Sequence, residues 1–273
     1  MTVAVSVVVP EGLVFAADTR QTFRNERGDI KVSSEHGRKV FQLTSKAAAV
    51  TWGWGFLTRR NINSLVEEFK LGLDTAPSLP VEEVARQLRR FFVAKYNQEI
   101  ENKWSQPVPE DSYATGFLVG GYDPGETVGK VYECWVPGEK EWLIQSTDRP
   151  GANWRGTEDA ISRLIKGYDR RLRQLSGFTP ELEQELKKGP LDYLTRFGSM
   201  PLQDAIDYAI FLIHTTIEMQ RFSDGILIEP GESAGCGGAI EVLVVRPQDG
   251  VRWVQQQELR GERALHADLG APL

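Results

Sequence analysis

The start of the chain constrains the fold more than any other stretch, because two apolar segments there flank a short turn. Valine and alanine dominate both segments, and a Pro-Glu-Gly turn at residues 10–12 separates them. Apolar, β-branched runs on either side of such a turn predict a β-hairpin. Because the runs are nearly continuous, both faces of this sheet are predicted to be covered. Charge appears only where the second strand ends, at Asp18 and Arg20, and Met1 precedes the hydroxyl residue Thr2. Chemistry is therefore expected at this end of the hairpin.

Hydrophobic periodicity divides the rest of the chain into blocks of strands and helices. A second hairpin is predicted over residues 38–52, three strands between residues 113 and 145, and a closing hairpin over residues 239–254. Residues 21–36 are predicted to form a loop. Apolar residues at helical spacing predict four long helices, and a Thr-Pro-Glu signal predicts a short one; their first characteristic residues are Ile62, Val81, Ala160, Leu202 and, for the short helix, Thr179. Strand blocks separated by pairs of helices predict an α+β fold in which helices cover a two-sheet sandwich.

The bulk composition bounds the class of protein. At 273 residues, with no linker-like break, the chain is predicted to form a single domain over residues 1–273. Acidic residues outnumber basic ones, 38 to 32, which argues against a nucleic-acid-binding surface. No apolar run approaches the ~18 residues of a transmembrane helix, and the N-terminal run reads as a strand without the basic start of a signal peptide. The two cysteines, Cys134 and Cys236, fit a reducing compartment. We therefore predict a cytoplasmic protein that binds neither nucleic acid nor membrane.

Three short segments carry motifs that occur together in one family. They are Thr2 with Ala16-Ala17-Asp18-Thr19-Arg20, then Gly37-Arg38-Lys39-Val40-Phe41, and finally Ala49-Val50-Thr51-Trp52-Gly53. Together, and with the spacing between Lys39 and Gly53, they resemble the proteasome β-type subunits, which are N-terminal-nucleophile hydrolases. The resemblance implies a four-layer αββα sandwich of that hydrolase type. An extra segment at about residues 170–197 and a C-terminal tail at about residues 255–273 would be additions to this plan.

Thr2 is the candidate nucleophile. A threonine hydroxyl needs an adjacent base, and the α-amine of an N-terminal residue can serve because its pKa lies near ~7.7–8.0. This role requires that Met1 be removed, and methionine before threonine is a context in which removal is expected. The alternative is that Thr2 is only the first residue of a strand.

Lys39, Asp18, Gly53 and Arg20 are the other candidate catalytic residues. A lysine in an apolar strand is costly unless paired, and Asp18 is the natural partner for Lys39. An ammonium group near Thr2 would lower the pKa of its amine and its hydroxyl. The resemblance implies that the Gly53 N–H stabilises an oxyanion and that Arg20 supports the site from behind. The structural alternatives are a plain ion pair between Asp18 and Lys39, an ordinary strand-to-helix turn at Gly53 and a surface salt bridge of Arg20.

Two features of the family are altered in this sequence. The family's Gly-Ser-Gly turn before the third helix corresponds to Trp154-Arg155-Gly156. Its Asp-x-x-Ser-Gly-Gly motif corresponds to residues 233–238, where Cys236 takes the place of the serine. The aspartate is missing from this motif, unless Asp224 reaches back to it. A lone small buried thiol is more often structural than reactive.

The function that the sequence favours is a proteasome-like threonine hydrolase, or threonine protease, cleaving peptide bonds without a metal or organic cofactor. The three histidines are isolated, and the glycine-rich segment near residue 235 lacks the Lys-Ser/Thr of a phosphate loop. The resemblance implies a peptide or unfolded-protein substrate and a homo-oligomer of one ring or of stacked rings; whether an ATP-dependent unfoldase takes part stays open. Two alternatives share the fold: a non-catalytic scaffold or binding subunit, and an amidase for a small molecule.

Overall fold

The computed structural model describes residues 1–24, 30–73, 79–103, 114–226, 229–230 and 234–259. The strands are β1 (Val3–Val9), β2 (Gly12–Asp18), β3 (Gln21–Arg24), β4 (Ile30–Ser34), β5 (Val40–Gln42), β6 (Ala47–Gly53), β7 (Phe56–Leu57), β8 (Arg60–Asn61), β9 (Thr115–Tyr122), β10 (Gly129–Val136), β11 (Glu141–Ser146), β12 (Gly151–Gly156), β13 (Gly225–Ile226), β14 (Glu229–Pro230), β15 (Ile240–Arg246) and β16 (Gly250–Gln255). The α-helices are α1 (Ile62–Gly72), α2 (Val81–Lys103), α3 (Asp159–Lys166), α4 (Pro180–Lys187) and α5 (Leu202–Phe222). Two 3-10 turns cover Arg170–Gln174 and Phe197–Ser199.

The predicted N-terminal hairpin is confirmed and lies at the centre of a five-stranded antiparallel sheet. The strand order is β12-β1-β2-β15-β16, and every residue of β1 and β2 is buried. The closing hairpin β15–β16 was also predicted. Strand β12 was not, because its sequence Gly-Ala-Asn-Trp-Arg-Gly is half-buried and shows no alternation of polar and apolar residues.

A second five-stranded antiparallel sheet has the order β11-β10-β9-β6-β5. The second predicted hairpin corresponds to β5 and β6, and the three predicted strands correspond to β9, β10 and β11. Three two-stranded sheets, β3–β4, β7–β8 and β13–β14, complete the described part of the chain. The predicted loop over residues 21–36 is wrong, because Gln21–Arg24 pairs with Ile30–Ser34.

Three apolar clusters join these elements. One contains residues of both large sheets, including Phe15 on β2 and Leu118 on β9. A second holds helices α1 and α2 to the β5–β6–β9–β10 strands. The third holds α3 and α5 to β1, β2 and β15, with Ile161 and Ile213 among its buried side chains. The ends of β1, β2, β6 and β12 are thereby fixed close to one another, which positions the site described below.

Helix starts follow local capping chemistry in some cases only. The Thr179 side chain accepts a hydrogen bond from the Leu182 N–H, with Pro180 at the first helical position, so the predicted start of α4 is confirmed. The predicted cap of α3 by Thr157 is wrong. That helix begins after Glu158 without a side-chain cap, and the Thr157 backbone is used elsewhere.

The predicted four-layer αββα sandwich of the N-terminal-nucleophile hydrolase type is wrong as a description of this fold. The described residues form a mixed α+β fold with five antiparallel sheets and five α-helices. Two-stranded pairs such as β7–β8 and the outlying helix α4, which buries only Leu186, do not belong to regular layers. Such short elements leave too little periodicity for a sequence to reveal.

Of the two predicted additions to the domain, the structure describes the first in full and the second only in part. The extra segment at about 170–197 contains a 3-10 turn and α4. Of the predicted tail at about 255–273, the structure describes residues 255–259, and the remainder lies outside the described residues. A single domain over residues 1–273 stays a prediction. None of the described helices is long and apolar enough to cross a membrane.

Phe15 tests the cluster shared by the two large sheets. Its ring is fully buried, whereas Phe222 at the end of α5 is 73% exposed. Replacing a buried phenylalanine by alanine removes apolar burial and leaves a cavity, so Phe15→Ala is expected to lower the free energy of unfolding by about 3–5 kcal/mol. Phe222→Ala, the matched control, is expected to change it by less than about 0.5 kcal/mol. Urea unfolding measures both; equal effects would contradict the assigned core.

Candidate active site

The predicted site residues converge where the N-terminal hairpin ends. Thr2 directly precedes β1 and is 6% exposed, Asp18 is the fully buried last residue of β2, and Lys39 directly precedes β5 and is 6% exposed. A small cavity of about 50 Å³ opens beside them. Four of the five predicted catalytic residues line it, and these are Thr2, Arg20, Lys39 and Gly53.

Asp18 connects three parts of the chain through its carboxylate. One oxygen, Oδ1, accepts from Lys39 Nζ at 2.8 Å and from the Val3 N–H at 3.0 Å. The other, Oδ2, accepts from the Gly237 N–H at 3.0 Å. Hydrogen bonds to an ionised group are stronger than neutral ones, and a buried carboxylate is tolerated only when it is paired in this way. Asp18 therefore fixes the start of β1, the lysine and the segment before β15 relative to one another.

Lys39 is held from two directions. Its carbonyl accepts from the Thr51 N–H at 3.0 Å. Its Nζ, besides pairing with Asp18, lies 3.5 Å from the carbonyl oxygen of Met1. That carbonyl belongs to the peptide bond between Met1 and Thr2, so the ammonium group lies beside that peptide bond.

Met1 is built into the site in this chain. Its terminal ammonium donates to Thr22 Oγ1 at 2.9 Å. Its side chain packs against Gly235, where an added Cβ would come within 2.1 Å of Met1 Cε. The nitrogen of Thr2 is consequently an amide and is not basic while Met1 is attached.

The turn between β12 and α3 contacts Thr2 directly. The Thr157 N–H donates to the Thr2 carbonyl at 2.7 Å, and Gly156 has a φ of +88°. A Cβ at Gly156 would lie 2.1 Å from the Thr2 carbonyl oxygen, so only glycine fits there. The altered Trp154-Arg155-Gly156 segment is thus the end of β12, and the hydroxyl next to it is that of Thr157.

Cys236 lies behind this turn and is fully buried. Its Sγ is 3.4 Å from Thr157 Oγ1, and its N–H donates to Gln220 Oε1 at 2.9 Å. Neither Thr157 nor Gln220 is among the site residues predicted from the sequence. Thr157 looked like a helix cap, although its place directly after a glycine next to the predicted turn was an available signal; Gln220, on α5, carried no signal.

Gly53 and Arg20 border the cavity in different ways. Gly53 ends β6 with a φ of +90°, and a Cβ there would meet the Ala114 carbonyl at 2.5 Å. Arg20 pairs with Glu35 at 2.8 Å and donates from Nη1 to the Ala234 carbonyl at 2.8 Å. Arg20 therefore secures the segment that precedes Cys236. Within the described ranges, no three His, Cys, Asp or Glu side chains are grouped as a metal site would require.

Burial keeps the thiols of the two cysteines protonated. Burial, reinforced by the charge of Asp18, raises the pKa of Cys236 to about 12. Burial likewise raises the pKa of Cys134 to about 12. Near neutral pH both groups are protonated thiols and poor nucleophiles. Cys236 is thus a small neutral neighbour of Thr157.

The chain is similar in fold to solved structures of Anbu. A helical assembly of the Anbu complex from Pseudomonas aeruginosa is 17% identical to this chain, with a TM-score of 0.59, over 98% of this chain and 93% of that one. A Gly-1 mutant of Anbu from Hyphomicrobium sp. strain MC1 is 16% identical, with a TM-score of 0.56, over 98% and 95% of the two chains. No family model and no curated protein matches the sequence.

These comparisons define a fold class and correct a prediction. At this level of identity the likeness concerns the fold alone, which is a mixed α+β fold similar to that of Anbu. The resemblance to proteasome β-type subunits does not hold as family membership, and that prediction is wrong. Each of the three motifs covers only a few residues at the end of a strand. Such a motif describes the local backbone and charge, and different families can share that local arrangement, so the motifs do not identify the family.

The buried ion pair between Asp18 and Lys39 can be tested by measuring the free energy of unfolding of variants. Lys39→Met leaves the Asp18 carboxylate buried without its cation, and this is expected to lower the free energy of unfolding by about 3–5 kcal/mol. The double variant Asp18→Asn/Lys39→Met removes both charges and is expected to be more stable than Lys39→Met alone. Lys70→Met, which breaks the exposed pair with Glu67, is the control and should change stability by less than about 0.5 kcal/mol. Equal effects of the Lys39 and Lys70 substitutions in urea unfolding would refute the arrangement.

Thiol labelling tests the assigned state of Cys236. With pKa values of about 12, both cysteines are protonated at pH 8, and because the thiolate is the reactive form, neither should react with a disulfide reagent in the folded protein. In urea both should react at once, which gives the control count of two thiols. Rapid labelling of Cys236 in the folded protein would show an accessible thiolate and contradict its placement.

Proposed function

We propose that this chain is an N-terminal threonine hydrolase that cleaves amide bonds in peptides once Met1 has been removed. The observation that carries the proposal is the position of Lys39 Nζ, held by Asp18 at 2.8 Å and 3.5 Å from the carbonyl that acylates the Thr2 nitrogen. After removal of Met1, the new α-amine would lie next to this ammonium group. A neighbouring positive charge favours the neutral amine, which is the form that can accept a proton.

The proposed reaction proceeds through an ester on Thr2. The neutral α-amine of Thr2 takes the proton from Oγ1 as that oxygen attacks the carbonyl carbon of the peptide. The resulting oxyanion accepts a hydrogen bond from the Gly53 N–H, a type of donor that is worth ~2.7–4 kcal/mol in comparable sites. The protonated amine then gives its proton to the leaving nitrogen. Water, deprotonated by the same amine, hydrolyses the ester and regenerates the free hydroxyl.

The surroundings of Thr2 support this assignment of roles. The Thr157 N–H donates to the Thr2 carbonyl, so the backbone of the proposed nucleophile is held in place by a second contact besides the environment of Lys39. Arg20 anchors the segment of Ala234 that leads to Cys236. In this proposal both act by positioning, and the protons pass only between the Thr2 amine, its hydroxyl and the substrate.

We also propose that the chain acts as a homo-oligomer. The similar Anbu complex from Pseudomonas aeruginosa forms a helical assembly, which supports self-association as the working state here. Sedimentation velocity would test this: a species well above the 30.6 kDa of one chain is expected, and a monomer at micromolar concentration would refute it. A peptide or unfolded polypeptide is the proposed substrate.

A non-catalytic scaffold is the second candidate, because Met1 is well accommodated. Its side chain fits over Gly235 and its ammonium group is bound by Thr22, so a retained Met1 would fill the place that a free amine needs. The two candidates make opposite predictions for the N-terminus.

Intact mass before and after reaction with an epoxyketone or β-lactone probe separates them. We expect a mass without Met1 and one adduct per chain, no adduct on Thr2→Ala, and a retained but slower adduct on the conservative variant Thr2→Ser. Lys39→Met should react at least 100-fold more slowly, since the neutral base would lose its support. A retained Met1, or a free Thr2 terminus that never labels, would favour the scaffold.

A further inference from the structure

Aromatic side chains form part of the Thr2 cavity, and the proposed reaction does not use them. Trp54 and Phe56 both line the cavity. Trp54 is 39% exposed, and Phe23 on β3 is 44% exposed. The rings of Phe23 and Phe56 stack with their centroids 4.7 Å apart, so exposed apolar surface continues from the cavity onto β3. Phe23, Trp54 and Phe56 together are termed the aromatic wall. Exposed apolar surface that adjoins a cleft is typical of a binding site.

The backbone that carries Trp54 is fixed by hydrogen bonds on both sides. Its N–H donates to the Ala114 carbonyl at 2.8 Å, and its own carbonyl accepts from Thr115 Oγ1 at 2.9 Å. The next carbonyl, that of Gly55, accepts from the Ile62 N–H at 3.1 Å. This part of the aromatic wall is therefore in place before a ligand arrives, which reduces the entropy lost on binding.

The hairpin β7–β8, which carries Phe56, closes on a strained turn. The two turn residues, Thr58 and Arg59, have φ values of +52° and +64°. Such turns favour asparagine and glycine, and a β-branched residue is an outlier there. The buried carboxylate of Glu99 accepts from the Thr58 N–H at 2.6 Å and so secures the turn. Strained backbone of this kind persists where surrounding contacts fix it, and it is concentrated at binding and catalytic sites.

The charged side chains that line the cavity favour an uncharged ligand group. They are Arg20, Arg38 and Lys39, and the described lining contains no aspartate or glutamate. Each cation already has a carboxylate partner; in the same order these are Glu35 at 2.8 Å, Glu241 at 3.5 Å and Asp18 at 2.8 Å. An acidic side chain of a ligand would compete with these carboxylates. A basic one would meet three cations and no partner among the described lining residues.

We propose that the aromatic wall binds an aromatic side chain of the peptide that is cleaved at Thr2. This inference rests on the proposed function, because it takes a peptide as the substrate. The cavity of about 50 Å³ is far smaller than the ~300–1,000 Å³ of typical ligand sites, so a large side chain would lie across its mouth, against the rings. Contacts between aromatic rings add to the gain from burying apolar surface.

Peptide binding to the Thr2→Ala variant tests the proposal, because binding requires no hydrolysis. Isothermal titration would compare acetyl-Ala-Ala-Phe amide with the peptides that end in Ala or Lys instead. A phenyl ring buries more apolar surface than a methyl group, and a lysine brings a charge that the lining disfavours. We therefore expect the Phe peptide to bind at least about 10-fold more tightly than the other two. Equal affinities for the Phe and Ala peptides, or no binding of the Phe peptide at millimolar concentration, would overturn the proposal.

Variants in the same background locate the binding. Trp54→Ala and Phe23→Ala are each expected to weaken binding of the Phe peptide about 5-fold or more. Trp142→Ala and Phe211→Ala are the matched controls, because these residues are 48% and 49% exposed and lie outside the cavity lining. Both controls should leave the affinity within about 2-fold. If one wall variant fails to fold, the other decides, and unchanged affinity in a folded wall variant would overturn the assigned surface.

The outcome can be separated from that of the proposed hydrolysis. If the chain with Thr2 intact is not labelled by the epoxyketone probe, but Thr2→Ala prefers the Phe peptide, the hydrolysis is refuted and the aromatic wall is supported. If the probe labels Thr2, but the Phe and Ala peptides bind equally, the aromatic wall alone is refuted.

Discussion

The structure depends on a single buried carboxylate. Asp18 is the last residue of the second strand and is fully buried. An unpaired charge at such a position would be strongly unfavourable. Its three donors come from residues 3, 39 and 237, which are remote in sequence. Satisfying this one group therefore requires that the first strand, the strand with the lysine and the segment before β15 all reach the same point. The same interaction that completes the fold also assembles the candidate site.

Glycines determine how closely the segments around Thr2 can approach. Gly156 lets the end of β12 lie against the Thr2 carbonyl, and Gly235 leaves room for Met1. In both places a methyl group would collide with atoms of the first two residues. Helix α5 packs on β1 and α3 packs on α5, so the two helices hold the strand that follows Thr2. Packing and site geometry are consequently set by the same contacts.

Sequence reasoning succeeded where the signal was local and repetitive. The nearly continuous apolar runs of β1 and β2, the long periods of α2 and α5, and the Thr179-Pro180 start of α4 each have a direct physical meaning within a few residues. It also selected Asp18 and Lys39, since a charge in an apolar strand calls for a partner. It failed for β12, which pairs with the distant strand β1, and for the pairs β3–β4 and β7–β8, whose strands are too short to show a periodic pattern. It also failed for Thr157, whose backbone bond to Thr2 no local pattern reveals. The four-layer sandwich and the family assignment failed because they extended a few short motifs to the whole chain.

The contact between Met1 and Gly235 bears on when, during synthesis and folding, an aminopeptidase can reach Met1. In the folded protein the first residue is held at both ends, its ammonium on Thr22 and its side chain over a glycine of the segment next to β15. An aminopeptidase needs an extended, free N-terminus in its own cleft. Residues 234–237 are synthesised long after residue 1, so the nascent chain exposes its start throughout most of translation. If Met1 is removed, as the proposed function requires, its removal must precede the folding of the C-terminal part over it, so the order of synthesis would determine whether the site matures.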